Sequence, residues 1–282
     1  MQPEINGDNS VSIEVMALHV QDAFSDETRA QTVLDVVTLR RPDAAVFAEA
    51  WHDGRDQLLD DVLDTFTERG YATVHSLYDD DDGRQDRHGI IGIVRNRILT
   101  DQVPHVVRLG SRNAVYLPLA NPESGVTTDL FGIHLDDRSE ARRLGQTDAL
   151  LGTVVDPDRP TIVAGKFNAM YPSDPRAIVA RALRPLARRL PTADPRPDVR
   201  PPRLKRIGSL AERTTAMAAG TTMQRFITAD FIDADPAHQP TKGPFNLDHI
   251  LYRGLVTAVG HKKNEILFKD QRTVRAVFDM HS

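Results

Sequence analysis

The spacing of apolar and polar residues in the first part of the chain predicts strands that alternate with amphipathic helices. In residues 11–20, "VSIEVMALHV", apolar side chains fall at every second position, which is the period of a β-strand. Residues 26–39 and 55–69 carry apolar side chains at helical spacing, and Gly70 is positioned to end the second helix. The pattern therefore predicts a chain in which both helices and strands contribute to the core.

Short apolar runs bounded by turn residues predict the remaining strands. They lie at residues 42–51, 71–77, 89–94, 113–120, 128–135, 161–164, 245–252, 255–259 and 273–278. A helix is predicted to begin near Ser139. Mixed strands and helices with β-rich segments at both ends predict a core of two packed sheets with helices outside.

Residues 173–226 break this pattern. Two helical stretches flank residues 191–202, "PTADPRPDVRPP", in which five prolines exclude regular structure. We therefore expect a single domain over residues 11–282, interrupted by a Pro-rich helical insertion and preceded by a polar tail at residues 1–10.

The insertion is strongly basic. Between Arg176 and Arg213 there are eleven Lys or Arg and three acids, so this segment carries +8 in a chain whose net charge is −5. Such a segment suits an anionic partner such as nucleic acid, or it docks on the acidic remainder of the chain. The segment contains no aromatic residue on which a base could stack, and both alternatives stay open.

Composition excludes several kinds of chemistry. The chain has no cysteine, which rules out disulfides, thiolate metal sites and cysteine nucleophiles. No apolar run approaches the roughly 20 residues of a membrane helix, and the first residues do not resemble a secretory signal. We expect a cytoplasmic protein without a membrane partner.

Polar residues recur where predicted strands end or begin. They are Glu49, His134, Asn168, Asp248 and Asp270. Each alone is more often a cap or a satisfied core residue than a functional group. Their shared position predicts that they meet in one crevice.

The order of these segments resembles the endonuclease/exonuclease/phosphatase superfamily, the DNase I-like fold. The resemblance covers nearly the whole chain except the insertion, and the Pro-rich helical stretch is similar to bacterial members of unassigned substrate. The motifs that carry it are "RRPDAAVFAEAW", "LFGIHL" with Arg143 and Gln146 in the next helix, "PTIVAGKFNAM", "FNLDHILY" and "LFKDQRTVRAVF".

The resemblance implies a four-layered α/β sandwich of two packed mixed sheets flanked by helices. It further implies Mg²⁺ or Mn²⁺ held by Glu49 and Asp270, and a phosphate-bearing substrate, either nucleic acid or a small phosphoester. Asn168 would hold a phosphoryl oxygen, His134 would be a catalytic residue on the superfamily's histidine strand, and Asp248 would support the histidine that binds or protonates the phosphate. Carboxylates suit these hard cations, which neutralise phosphate charge.

The chain departs from the motifs of this superfamily at three positions. Lys166 replaces the aspartate that orients or deprotonates water, Gln271 replaces a histidine, and His19 replaces an asparagine. A lysine ammonium cannot accept a proton, and a glutamine amide is not a useful proton donor. His261 and His281 remain alternatives for the missing imidazole.

Three functional hypotheses follow. The first is a catalytically impaired protein that needs no metal: Lys166 supplies the metal's charge, and the crevice binds a phosphate-bearing ligand or a protein partner. The second is an active phosphodiesterase, nuclease or phosphatase with Mg²⁺ or Mn²⁺ at Glu49 and Asp270, and with His19 or His134 as the base. In the third hypothesis Lys166 is a surface residue and the crevice has no function.

Overall fold

The structure is a computed structural model, and it describes most of the chain in separate ranges. The described residues are 12–21, 23–50, 56–76, 89–137, 139–183, 214, 217, 219–235, 247–254, 256–262, 266–268 and 271–280. Statements about what the structure lacks refer to these residues.

Strands account for most of the regular structure. They are β1 (Ser12–His19), β2 (Ala44–Ala48), β3 (Tyr71–Ser76), β4 (Ile90–Arg95), β5 (His105–Leu109), β6 (Arg112–Ala120), β7 (Thr127–His134), β8 (Thr161–Lys166), β9 (Ile232–Asp233), β10 (Asp248–Arg253), β11 (Val256–Lys262), β12 (Ile266–Phe268), β13 (Gln271–Arg272) and β14 (Val274–Met280).

Helices cover the sheets. They are α1 (Glu27–Arg40), α2 (Asp56–Glu68), α3 (Glu140–Ala149), α4 (Pro175–Ala182) and α5 (Thr221–Thr228). Asp26 caps α1 by accepting a hydrogen bond from the backbone N–H of Arg29 at 3.0 Å. Among the described helices, none combines the length and apolar character needed to cross a membrane.

The strands form two six-stranded mixed sheets. The first has the order β11-β14-β1-β2-β4-β3, and the second has the order β5-β6-β7-β8-β10-β9. The pairs β1–β2 and β7–β8 are parallel, whereas β8–β10 is antiparallel. Two packed mixed sheets flanked by helices confirm the predicted four-layered α/β sandwich.

The centre of the core lies between the two sheets. Ile13 and Val15 of β1 face this layer, whereas Met16 of the same strand packs towards α1 and α2. The sheets approach closely at Gly132 of β7, where an added Cβ would lie 2.8 Å from the side chain of Val46 on β2 of the other sheet. The alternation along the strands thus separates an inter-sheet core from two helix-facing cores.

The predicted insertion is described only at its ends. Helix α4 lies within residues 173–226 and α5 begins within them, whereas residues 184–213, which contain most of the basic charge of the insertion, lie outside the described residues. That these residues form an insertion in the domain, and that they bind an anionic partner, therefore stay predictions. The sequence pattern did not predict the edge strand β5 or identify α5 as a separate helix.

Candidate functional site

Four strands bring polar side chains to one end of the inter-sheet core. The two-residue alternation of β1, β7, β8 and β10 places His19, His134, Lys166 and Asp248 on the same faces as the inter-sheet apolar residues. Lys166 lies opposite His134 in one strand pair and opposite Asp248 in the other. All four residues are buried, so the hypothesis that Lys166 is a surface residue is wrong.

Glu49 joins this group through an unusual backbone conformation. The alternation of β2 sends Ala45 and Phe47 towards the helices, and Glu49 would follow them. Its φ of +59° lies in the left-handed region, which ends the alternation, and its carboxylate contacts the inter-sheet groups instead. Such a conformation is uncommon for glutamate and costs of order 1–3 kcal/mol, which the surrounding contacts must offset.

Lys166 is positioned by the glycine before it. Gly165 has a φ of +130°, and an added Cβ would lie 2.2 Å from the carbonyl oxygen of Ile133. Only glycine fits there, because the backbones of β7 and β8 are in direct contact at this point. The sequence Gly165-Lys166 therefore fixes the path of the chain that carries the ammonium group.

The ammonium group of Lys166 belongs to a compact cluster of charged and polar groups. Its Nζ donates a hydrogen bond to Oε1 of Glu49 and lies 3.1 Å from Nε2 of His19. Nε2 of His19 contacts Oε2 of the same carboxylate, and Nε2 of His134 lies 3.8 Å from Oε1. One carboxylate thus meets one cation and two imidazoles.

Glu49 is ionised in this cluster. Burial alone would raise its pKa, but the charge of Lys166 and the contact with His19 outweigh burial and hold the pKa well below the ordinary value of 4.5. Glu49 and Lys166 therefore form a buried ion pair, of which only Glu49 is partly accessible, with its side chain 13% exposed.

His19 is neutral and has a defined tautomer. Burial and the charge of Lys166 lower its pKa from 6.5. Its buried Nδ1 has no hydrogen-bond partner among the residues that the structure describes, so the proton belongs on Nε2, where it is donated to Glu49. The opposite tautomer would leave a buried N–H unpaired, which costs more than an unpaired acceptor nitrogen.

His134 is also neutral. Burial first, and then the charges of Arg112 and Lys166, lower its pKa well below 6.5. The guanidinium group of Arg112 donates to the carbonyl oxygen of His134 at 3.2 Å and lies 3.6 Å from Asp137. Arg112 therefore adds a second buried cation beneath the cluster.

Two further predicted residues lie beside the cluster. Asp248 is close enough to His19 to act on its pKa, raising it against the stronger effects of burial and Lys166. Asn168 has a φ of +50° and donates from Nδ2 to the carbonyl oxygen of Leu135 at 2.7 Å. That hydrogen bond ties the loop after β8 to the end of β7.

Part of the predicted site is not described. Gln271 begins β13, but its side chain lies outside the described residues, as do Asp270 and His281. His261 lies in β11, and its side chain is likewise not described. The roles proposed for these residues stay predictions.

The sequence analysis missed several groups around the site. Nδ2 of Asn113 donates to Oγ of Ser76 at 2.7 Å, which links the two sheets near the crevice. On the helix-facing side of β10, His249 contacts Asp233 at 2.8 Å. The alternation of "NLDHIL" already places His249 and Asp248 on opposite faces, but nothing local indicates that Asp233 is its partner.

Residues on α3 hold the loop that follows β7. The buried guanidinium of Arg143 donates from Nη1 to the carbonyl oxygen of Asp136 at 2.7 Å and from Nε to Glu140 at 2.9 Å. Gln146 accepts from the backbone N–H of Asp136 at 2.9 Å. Arg143 and Gln146 therefore position the chain next to His134 rather than enter the cluster.

Solved structures with this architecture are numerous, and their sequences are distant. The Nocturnin catalytic domain from human, with bound sulfate, superposes with a TM-score of 0.63 at 15% identity, over 96% of this chain and 94% of that chain. An endonuclease/exonuclease/phosphatase from Bacteroides vulgatus gives 0.65 at 12% identity, over 96% and 100%. ANGEL2, a 2′,3′-cyclic phosphatase, gives 0.61 at 12% identity, over 97% and 96%.

The chain has the endonuclease/exonuclease/phosphatase fold. At identities this low the likeness establishes the fold and leaves the activity to be argued from the site. No protein-family model and no curated protein sequence matches the chain.

The site does not fit the divalent cation that the resemblance implies. Glu49, the expected ligand, already holds the ammonium group of Lys166, and a bound cation would meet that charge within a few ångströms. Among the described residues, no group of three or more His, Asp or Glu side chains is arranged to hold a metal ion. The described cluster is therefore complete as an ion pair flanked by two neutral imidazoles.

Proposed function

We propose that this chain is a catalytically impaired protein of the endonuclease/exonuclease/phosphatase fold whose crevice binds a phosphate-bearing ligand without hydrolysing it. One observation carries the proposal: the Lys166 ammonium group donates a hydrogen bond to the Glu49 carboxylate, and Nζ of Lys166 lies 3.1 Å from Nε2 of His19. A fixed cation thereby occupies the place at Glu49 that the resemblance assigns to a metal.

The loss of activity follows from the chemistry of the replaced groups. Lys166 is a cation where an aspartate would orient or deprotonate water, and Gln271 stands where a histidine would exchange protons. General acid–base groups contribute roughly 10²–10⁴-fold each, although residues that act together are not additive. Losing both removes most of the rate.

Retention of anion binding is supported by the charges beneath the crevice. Lys166 and Arg112 are both buried there, and Glu49 is the partly accessible member of the cluster. The Nocturnin domain, which shares the fold, has a sulfate anion bound. A phosphate on this chain would compete with Glu49 for Lys166, so its affinity should be low in the natural protein.

The binding half of the proposal is tested by thermal unfolding in phosphate and in chloride at equal ionic strength. Glu49→Gln removes the competing carboxylate, so phosphate should stabilise this variant more than the natural chain. Lys166→Met should abolish the phosphate effect at the crevice. Equal phosphate effects in all three proteins would contradict binding at Lys166.

The catalytic half is tested by hydrolysis of a generic phosphodiester and of plasmid DNA with Mg²⁺ or Mn²⁺. The natural chain should hydrolyse neither substrate, whereas the Lys166→Asp/Gln271→His double variant should hydrolyse them slowly. If the natural chain hydrolyses either substrate and Glu49→Ala abolishes that activity, the proposal is wrong.

One observation favours a second candidate, an active phosphoesterase with a rearranged site. His19 and His134 both have lowered pKa values, so both are unprotonated at neutral pH, as a general base must be. This candidate predicts that His19→Gln or His134→Gln removes a hydrolytic activity present in the natural chain. The same hydrolysis assay decides between the two candidates.

A further inference from the structure

A second basic site lies at the opposite end of the sandwich from Lys166. Asp43 precedes strand β2 at that end and Glu49 follows it in the crevice, and the six steps between these two residues span roughly 20 Å. A pocket of about 290 Å³ opens there, between the ends of α1 and α2 and the first sheet. Its lining residues are Val37, Thr38, Arg41, Arg69, Tyr71 and Arg95.

The pocket is cationic. Three of its six lining residues are arginines and none is an acid. The carboxylates beside the pocket already have arginine partners: Asp43 accepts from Arg97 at 2.6 Å and lies 3.9 Å from Nε of Arg95, and Glu14 is paired with Arg275.

Two of the arginines are held in place before any ligand arrives. Arg69 donates from Nη1 to the carbonyl oxygen of Leu34 at 3.2 Å and to the hydroxyl of Thr38. Arg95 donates from Nε to the carbonyl oxygen of Pro42 at 3.2 Å, and its guanidinium lies 5.1 Å from the centre of the Tyr71 ring. Side chains fixed in this way lose little entropy when they bind a ligand.

Donors remain for a ligand after these bonds are counted. The hydrogen bonds of Arg69 use Nη1, and those of Arg95 use Nε and Nη2, which leaves Nε and Nη2 of Arg69 and Nη1 of Arg95. Arg41 follows α1 in the left-handed conformation, and its exposed guanidinium lies close enough to Tyr71 to act on that residue's pKa. Guanidinium groups match phosphate oxygens in planar pairs of hydrogen bonds.

We propose that Arg41, Arg69 and Arg95 form a second anion site, distinct from the crevice, that binds inorganic phosphate or the phosphate of a small phosphomonoester. The volume is close to the lower end of the roughly 300–1,000 Å³ of small-molecule sites. The Tyr71 ring is buried and adjoins Arg95, so it offers no surface on which a nucleic-acid base can stack. The pocket therefore favours a single phosphate over an extended polyanion.

Calorimetric titration of inorganic phosphate at constant ionic strength tests this site. Arg41→Gln should weaken binding about tenfold, the equivalent of one charge-assisted hydrogen bond, and Arg41→Gln/Arg69→Gln should remove it. Arg108→Gln on β5 is the matched control, because it changes net charge equally at an exposed arginine on the other sheet. It should bind as the natural chain does.

The Lys166→Met variant distinguishes the two proposed sites, because it should leave phosphate binding at the arginine pocket intact. The proposal is overturned if the natural chain does not bind phosphate, if Arg108→Gln weakens binding as much as Arg41→Gln, or if binding disappears with Lys166→Met and survives in the arginine variants. If the natural chain instead binds single-stranded DNA with an affinity that grows with DNA length, and the arginine variants lose that affinity, the pocket is a polyanion site and not a phosphate site. Circular dichroism checks the fold of each variant. If the double variant misfolds, the single Arg41→Gln substitution still tests the site, because the side chain of Arg41 makes no described hydrogen bond.

Discussion

The two ends of the sandwich use positive charge in opposite ways. At one end, Lys166 is buried and its charge is matched by the Glu49 carboxylate. At the other end, Arg41 and Arg69 are exposed around a pocket that has no acid in its lining. The comparison teaches that a cation's position alone does not indicate a ligand site, because what matters is whether the fold already supplies its counter-ion.

The largest expected effect comes from breaking the buried pair. Glu49→Gln leaves the Lys166 ammonium buried without its carboxylate, and such a loss costs about 3–5 kcal/mol of unfolding free energy. Denaturant unfolding at pH 7 measures it. Glu14→Gln is the matched control, because the Glu14–Arg275 pair is partly exposed and should cost no more than about 1 kcal/mol.

A double substitution sharpens this result. Lys166→Met/Glu49→Gln removes both charges, and replacing a buried ion pair by uncharged groups of similar size is often neutral. The double variant should therefore be more stable than Glu49→Gln alone. Equal losses in the two variants would show that the contact of Glu49 with His19, and not the ion pair, carries the effect.

The next effect is a dependence of stability on pH. His19 and His134 have folded pKa values below 6.5, so the unfolded chain binds more protons as the pH falls below that value. Stability should therefore decrease from pH 6.5 downwards, by up to about 1.4 kcal/mol per pH unit for each imidazole. Glu49, whose folded pKa is depressed, adds stability that is lost below pH 4.5.

Lys166→Met tests the cause of that dependence. Removing the ammonium removes a charge that lowers the pKa of both histidines, so stability should change less between pH 6.5 and pH 5 than in the natural chain. Denaturant unfolding across this range measures the slope. An unchanged slope would mean that burial alone sets the pKa values.

The smallest effect is expected at the arginine pocket. The exposed guanidinium of Arg41 makes none of the hydrogen bonds described for that pocket, so Arg41→Gln should change the unfolding free energy by less than about 0.5 kcal/mol. Thermal unfolding without added phosphate measures it. A loss of several kcal/mol would mean that this arginine supports the fold.

Much of the fold was predictable because it rests on local alternation. The apolar period of β1 and the short apolar run of β8 are visible in the sequence, and both strands form as predicted. Strand β5, "HVVRL", was not predicted because it lies at a sheet edge and is largely exposed, so it lacks a clear apolar face.

The candidate site was predictable only in part. The position of Lys166 near the end of an apolar strand is visible locally, and the structure makes it the last residue of β8 and brings it together with His19 and His134. Its pairing with Glu49 depends on a left-handed φ that nothing about a glutamate signals. The arginine pocket was missed because Arg41 and Arg95 lie far apart in sequence, and each alone resembles an ordinary surface residue.

The measurement that tests the central claim most directly is a calorimetric titration of Mn²⁺ into the natural chain and into Lys166→Asp. If the ammonium group takes the place of a metal at Glu49, the natural chain should not bind Mn²⁺. The variant should bind it and be stabilised by it, because the substitution replaces the competing ammonium group by a second carboxylate beside Glu49. Binding of Mn²⁺ to the natural chain that Glu49→Gln abolishes would contradict the account.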